Sequence, residues 1–360
     1  MSRRPTPSSL CARRRLALAL TPALLAVGGC TEDPVPAPTS GVTPSSSPSA
    51  SPSSSPPSSP SSSPPTTTTT PSATSTPSPT PVADPVTPDD LDAATAVAAV
   101  RHLAGRIGPR EATSPAFEDA AAWVGERFAA LGYDVSRQRV DVPAGVSWQG
   151  APLAAGRSAN VVATPPAFDR TSPHLVVGAH LDTVSGAPGA EDNASGVGVL
   201  LAVAEAVAER RTRLPVVLVA FGAEEPRGAG DALHHFGSRQ YVASFTRAER
   251  RAVRGMVALD RVGVGSVVPV GSARESLSEP DAVHEALLAA ARRAGVPTVA
   301  ELRERTSDHW SFVKAGLPAA RLGSTPYAGY HSAGDVPSVV DPAQLRRAGR
   351  VTLAWLAPTA

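Results

Sequence analysis

Cysteine is nearly absent from this chain: its 360 residues include two, Cys11 and Cys30, and both lie close to the N-terminus. No disulfide can staple the remaining 330 or so residues, and no thiolate is available there to hold a metal. Lysine is scarcer still, with Lys314 alone, so almost all positive charge is arginine. The 33 basic and 32 acidic residues leave a net charge of +1. That balance provides no clustered positive field of the kind that displaces phosphate counterions, so no nucleic-acid partner is expected. No P-loop, no GxSxG nucleophile elbow and no HExxH helix occurs. The apolar run Leu16 to Val27, at about 12 residues, is too short to span a bilayer.

That run does have the layout of an export signal. Arg3, Arg4 and Arg13 to Arg15 supply a basic region, the apolar run comes next, and Gly28 and Gly29 precede Cys30. The order resembles a bacterial lipoprotein signal over residues 1–29, with Cys30 as the lipid anchor on the outer face of the cell membrane. An ordinary cleaved signal, releasing a secreted protein, is the alternative. The arginines leave both Sec and twin-arginine export open. Residues 30–87 are Ser, Pro and Thr with few large apolar groups. Such a segment buries too little apolar surface to offset its ordering entropy, so it is expected to be a disordered, proline-stiffened tether.

At Pro88 the texture changes, and 88–360 is long enough for a core without staples. Acidic residues, helix formers and a closing glycine predict a helix over 89–108 and another over 116–131. The alternation in YDVSRQRVDV predicts an edge strand. Short apolar runs come after it in NVVAT, HLVVGAH, PVVLVAFGAEE, RGMVALD and LPAARLG, with helices expected over 196–207, 280–294 and 342–356. Val- and Leu-rich strands alternating with helices argue for one α/β/α domain of three layers around a mostly parallel, mixed sheet.

Polar residues stand where these apolar runs stop. His180 and Asp182 close one strand, Asp192 precedes a helix, Glu224 and Glu225 close a second strand, and Asp260 closes a third. His331 comes after the last strand. Each has an ordinary explanation alone: Asp192 and Asn193 as helix caps, Glu224 and Glu225 as a solvated pair, Asp260 as the ion-pair partner of Arg261. Recurrence at successive strand ends, where α/β sheets bind ligands, favours a site.

The order HxD, DNASG, GAEE, a strand ending in Asp, and YHSAGD resembles the co-catalytic di-zinc aminopeptidases, secreted bacterial exopeptidases related to glutaminyl cyclases. GPREATSP and SDHWSFVKAGLPAARL are similar to further segments of that family. The resemblance covers 89–358 and implies two Zn2+ per chain: His180 and Asp260 on one ion, Glu225 and His331 on the other, Asp192 bridging. It further implies Glu224 as general base and Asp182 as the acceptor that orients His180. Tyr330 is a candidate oxyanion donor, and Asp308 and His309 are candidate pocket or metal-supporting residues. Trp310 and Phe312 are expected in the core, and Asn193 at the turn after Asp192. The implied substrates are peptides with a free N-terminus. In this sequence PRGAGDALHHF intervenes before Gly237 and Ser238, where the family proceeds quickly to Gly-Ser. His234 and His235 in it are read as loop residues, because the ligand set is complete without them. Two rivals stand beside this reading. One is a glutaminyl cyclase-like acyl transferase, expected to work with one zinc. The other is a metal-free binding lipoprotein on the same scaffold.

Overall fold

A computed structural model describes residues 83–276 and 278–359. The leader, Cys30 and most of the Ser/Pro/Thr segment lie outside the described residues. Packing starts ahead of Pro88: the Val86 N–H donates to the Arg211 carbonyl at 3.0 Å, and Val86 is buried. The first helix is shorter than expected. Asp90 closes a single turn onto the Thr87 N–H, and α1 (Ala93–Val100) starts only after Asp92, whose carboxylate caps the Ala94 N–H at 2.8 Å. The chain then continues helically over Arg101–Ile107 to Gly108. α2 (Pro115–Ala130) is capped by Ser114 and leads to the glycine at 132, whose φ of +85° few other residues adopt.

The edge strand β1 (Asp134–Val142) comes next, then a small hairpin of β2 (Gly145–Val146) and β3 (Pro152–Leu153), then β4 (Gly156–Thr164) and β5 (His174–His180). After these come α3 (Gly196–Ala208), β6 (Val216–Phe221), α4 (Phe236–Ala243), α5 (Arg247–Ala252) and β7 (Val253–Leu259). β8 (Val268–Gly271), α6 (Ala282–Ala294), β9 (Thr298–Glu301), α7 (His309–Lys314), β10 (Ala319–Leu322) and α8 (Pro342–Leu356) complete the domain.

Among the described residues eight strands form one mixed sheet in the order β1-β4-β6-β5-β7-β10-β8-β9. The central strands β6, β5, β7 and β10 are mutually parallel, and β1 pairs antiparallel to β4 at the edge. Side-chain alternation divides the core into two layers. Val216, Leu218 and Ala220 of β6 face α1, α2, α3, α6 and α8, whereas Val217, Val219 and Phe221 face α4 and α7. Each fully buried Val, Leu or Phe contributes about 1.5–3 kcal/mol. Phe312 lies in this second layer as expected. Trp310 does not, because its indole N–H reaches outward to the Asp231 carboxylate at 2.9 Å. Among the described residues no helix is long and apolar enough to cross a membrane.

Candidate metal centre

After β5 the chain crosses through α3 to β6 on one side, and the next central strand, β7, pairs on the other side of β5. This reversal opens a crevice at the carboxyl ends of the parallel strands, the usual ligand position in such sheets. His180 is the last residue of β5, Glu224 and Glu225 lie just past β6, Asp260 just past β7, and His331 in the segment after β10.

The five candidate ligands converge into two buried triads that share Asp192. In one, His180 Nε2 lies 3.1 Å from Asp192 Oδ1 and 3.7 Å from Asp260 Oδ1. In the other, His331 Nε2 lies 3.3 Å from Asp192 Oδ2 and 3.2 Å from Glu225 Oε2. Each triad thus approaches a different oxygen of one carboxylate. Among the described residues Glu225 Oε1, Asp260 Oδ1 and His331 Nδ1 have no hydrogen-bond partner although they are buried. Buried, unpaired carboxylates are costly unless a cation compensates them.

The electrostatics point the same way. Burial raises Glu225 to about 8, aided by the Asp192 charge, and burial raises Glu224 to about 8 as well. Burial alone would lower His331, but Asp192 and Glu225 outweigh it and lift the imidazole to about 10. Protons are therefore drawn to where positive charge is wanted. Imidazole and carboxylate donors with no thiolate fit zinc, and the site could hold two ions, one per triad.

Asp192 is held from several directions. The Asp335 carboxylate accepts the N–H groups of Glu191 (2.8 Å) and Asp192 (3.1 Å), and the Tyr327 hydroxyl at 2.9 Å. Asn193 does shape the turn. Its amide donates to the Leu259 carbonyl, and its oxygen accepts from the Gly196 and Arg261 N–H groups. The bridging turn is thereby tied to the end of β7. The guanidinium of Arg110, wholly buried, donates to the carbonyls of Leu181, Pro188 and Gly189, pinning the loop between His180 and Asp192. A side chain at Gly189, whose φ is +64°, would meet Thr183 and the Asp192 carbonyl at 2.2–2.4 Å.

Asp182 plays a different part from the one expected. Its carboxylate stands 3.8 Å from His180 Nδ1, beyond hydrogen-bond range, and the nearer acceptor is its own carbonyl at 3.2 Å. The carboxylate instead accepts the N–H groups of Glu224 (3.0 Å) and Glu225 (3.1 Å). It therefore fixes the turn that aims the two glutamates. Ala223, Arg261 and His331 all have φ near +55°. Such non-glycine outliers beside Glu224, after Asp260 and at a candidate ligand itself mark backbone strain concentrated at this site.

A cavity of about 410 Å³ opens over the triads, with Trp148, Pro226, Arg261 and Tyr330 in its wall. Tyr330 stacks on His331 with ring centroids 3.8 Å apart, and the Arg261 guanidinium lies 4.6 Å from the Tyr330 centroid. Trp148, on the β2–β3 hairpin, meets His331 edge-on at 4.5 Å and is 57% exposed. The hairpin is held by Arg227, whose carbonyl accepts the Val146 N–H and whose guanidinium donates to the Ala154 carbonyl. Asp308 and His309 are fully buried but do not line the cavity. Among the described residues the Asp308 carboxylate has no hydrogen-bond partner, and burial with the Glu224 charge raises it to about 7. His309 Nε2 lies 2.9 Å from the Glu304 carbonyl, and burial lowers its pKa to about 3.

Residues 160–356 match the model of peptidase family M28. The chain belongs to that family. Among curated proteins it is similar to the aminopeptidase YwaD of Bacillus subtilis, 30% identical over 149 residues, 41% of this chain and 31% of that protein. It spans about half or less of the length of the curated relatives it matches. The M28 fold is shared with a zinc aminopeptidase from Bacillus subtilis at a TM-score of 0.64 and 19% identity, over 74% of this chain and 94% of that one. A glutaminyl cyclase from Bacteroides thetaiotaomicron shares it at 0.61 and 21%, over 75% and 99%. His180, Asp192, Glu224, Glu225, Asp260 and His331 all fall inside the stretch matched to M28, whereas Arg110 and Trp148 lie before it.

Proposed function

We propose that this M28 peptidase is an exported aminopeptidase that holds two zinc ions and removes residues from the free N-terminus of peptides. One observation carries the reading. Two triads meet on the two oxygens of Asp192, and Glu224, a buried carboxylate, belongs to neither. His180, Asp192 and Asp260 would hold one ion, and Asp192, Glu225 and His331 the other. Zinc bound there supplies Lewis-acid polarisation of a carbonyl and brings the pKa of water toward neutrality. Glu224 takes the proton of the attacking water and delivers it to the leaving amine. Asp182 holds the Glu224 backbone so that this carboxylate faces the cavity, and Tyr330, in the cavity wall, would donate to the developing oxyanion.

An aminoacyl arylamide with a free amine is expected to be cleaved at least about 100-fold faster than its N-acetyl counterpart, since exopeptidase binding depends on the amine (about 2.7 kcal/mol of discrimination). Equal rates would defeat the exopeptidase reading. The second triad also favours hydrolysis over the glutaminyl cyclase alternative, which calls for one zinc. Cyclisation of an N-terminal glutaminyl peptide, monitored by mass, separates the two directly. Tethering to the outer membrane face through Cys30 is part of the proposal and rests on the leader sequence alone. A Cys30→Ser chain is expected to move from the membrane fraction to the soluble one. Unchanged partition of that variant would remove the lipid anchor from the account.

A further inference from the structure

The loop Pro226–Phe236 closes on the turn that presents Glu224. The His235 N–H donates to the Glu224 carbonyl at 2.9 Å, the Phe236 N–H to the Ala223 carbonyl at 2.8 Å, and the Arg227 N–H to the Leu233 carbonyl at 2.9 Å. This pairing puts the His235 imidazole against the Glu224 side chain, with Nε2 3.2 Å from Oε1 but not aligned for a hydrogen bond: among the described residues neither ring nitrogen has a hydrogen-bond partner. Both side chains are more than nine-tenths buried. The other imidazole nitrogen lies 4.0 Å from Asp231 Oδ1. Asp231 is itself fixed by the Trp310 indole N–H at 2.9 Å and by Lys314 at 2.6 Å, so the outer end of the loop is anchored to α7. His235 has φ of +57°, a conformation kept in spite of its cost for a non-glycine residue.

We propose that His235 is a positioning residue for Glu224: with two cations in place, a small turn of the carboxylate brings Oε1 onto the Nε2–H and leaves the other carboxylate oxygen to the water. This inference rests on Glu224 being the general base. Burial lowers the His235 pKa, which keeps the imidazole neutral and able to offer one N–H and one lone pair. A neutral donor suits the task, because it fixes the carboxylate without surrendering a full charge to it. The chain thus uses its long loop to support the side chain of the base, whereas Asp182 grips the same residue through the backbone.

The experiment compares His235→Gln with His235→Asn, in the full zinc-loaded enzyme, on an aminoacyl arylamide. The glutamine amide nitrogen occupies the place of Nε2 and can reach Glu224, whereas the asparagine amide nitrogen matches Nδ1 and cannot. Asparagine is the better residue for a positive φ, so a merely structural role ranks Asn above Gln in melting temperature and in kcat alike. Positioning predicts the opposite order in kcat. His235→Gln is expected within about threefold of the parent, and His235→Asn about 10- to 100-fold lower, at unchanged KM and unchanged zinc content. In crystals, the Glu224 carboxylate is expected to keep its place in His235→Gln and to turn away in His235→Asn. The inference is overturned if His235→Asn keeps the parental kcat, if the kcat losses track the melting temperatures, or if zinc is lost along with turnover. Glu224→Gln serves as the control: if that variant is active, the assignment of the base falls, and this inference falls with it for a different reason.

Discussion

Glu224→Gln is expected to keep its zinc and lose about 10²- to 10⁴-fold in kcat, the range that a positioned acid–base group contributes. The substitution is nearly isosteric, and Glu224 stands outside both triads, so neither ligand geometry nor packing should change. Its backbone N–H would still meet Asp182, and its carbonyl would still accept from His235. Only the capacity to take a proton is removed. KM should therefore hold while kcat falls, the pattern of an interaction lost in the transition state alone. Parallel loss of zinc would show that the residue is a ligand, and full activity would show that another group moves the proton.

Asp192→Ala is expected to have the second large effect, and a different one. Both triads lose their shared member, leaving His180 with Asp260 and Glu225 with His331. Zinc binding should weaken at both positions together, and activity should drop by about 10³-fold or more, as expected when several kcal/mol of Lewis-acid stabilisation disappear. Removing a ligand of only one triad, as in Asp260→Ala, should spare the other ion. Titrating zinc back into the chelated proteins separates the cases. Retention of one tightly held zinc by Asp192→Ala would show that the carboxylate does not bridge.

The strand ends are readable because they obey two rules at once. Val- and Leu-rich runs such as HLVVGAH and PVVLVAF fit only a sheet covered on both faces, and the polar residue that stops each run must then lie at its rim. Helix starts shift where a side chain claims the first N–H groups: Asp92 and Asp281 each cap a helix that the composition alone would begin earlier. The supports of the site are harder to see. Arg110 lies far from Asp192 in sequence and acts through carbonyl oxygens, which leave no mark on residue type. Asp335 holds Asp192 from 143 positions away, again through backbone N–H groups. The HxD spacing pairs Asp182 with His180, yet Asp182 serves the glutamates of the neighbouring strand, a pairing that only the sheet order creates. Trp148 sits on a hairpin of two-residue strands, too short for any periodicity to reveal. His235 carries a signal in the unusual length of its loop, but a ligand set complete without it leaves it no evident role in the sequence.

The proposed activity requires one carboxylate, Asp192, to be shared by two cations beneath a cavity walled by Trp148 and Tyr330. Anomalous scattering from zinc-loaded crystals, collected on both sides of the zinc edge, tests this most directly. Two peaks are expected, one against His180 and Asp260 and one against Glu225 and His331, with an oxygen of Asp192 on each. A single peak, or zinc held by His234 and His235 instead, would contradict it.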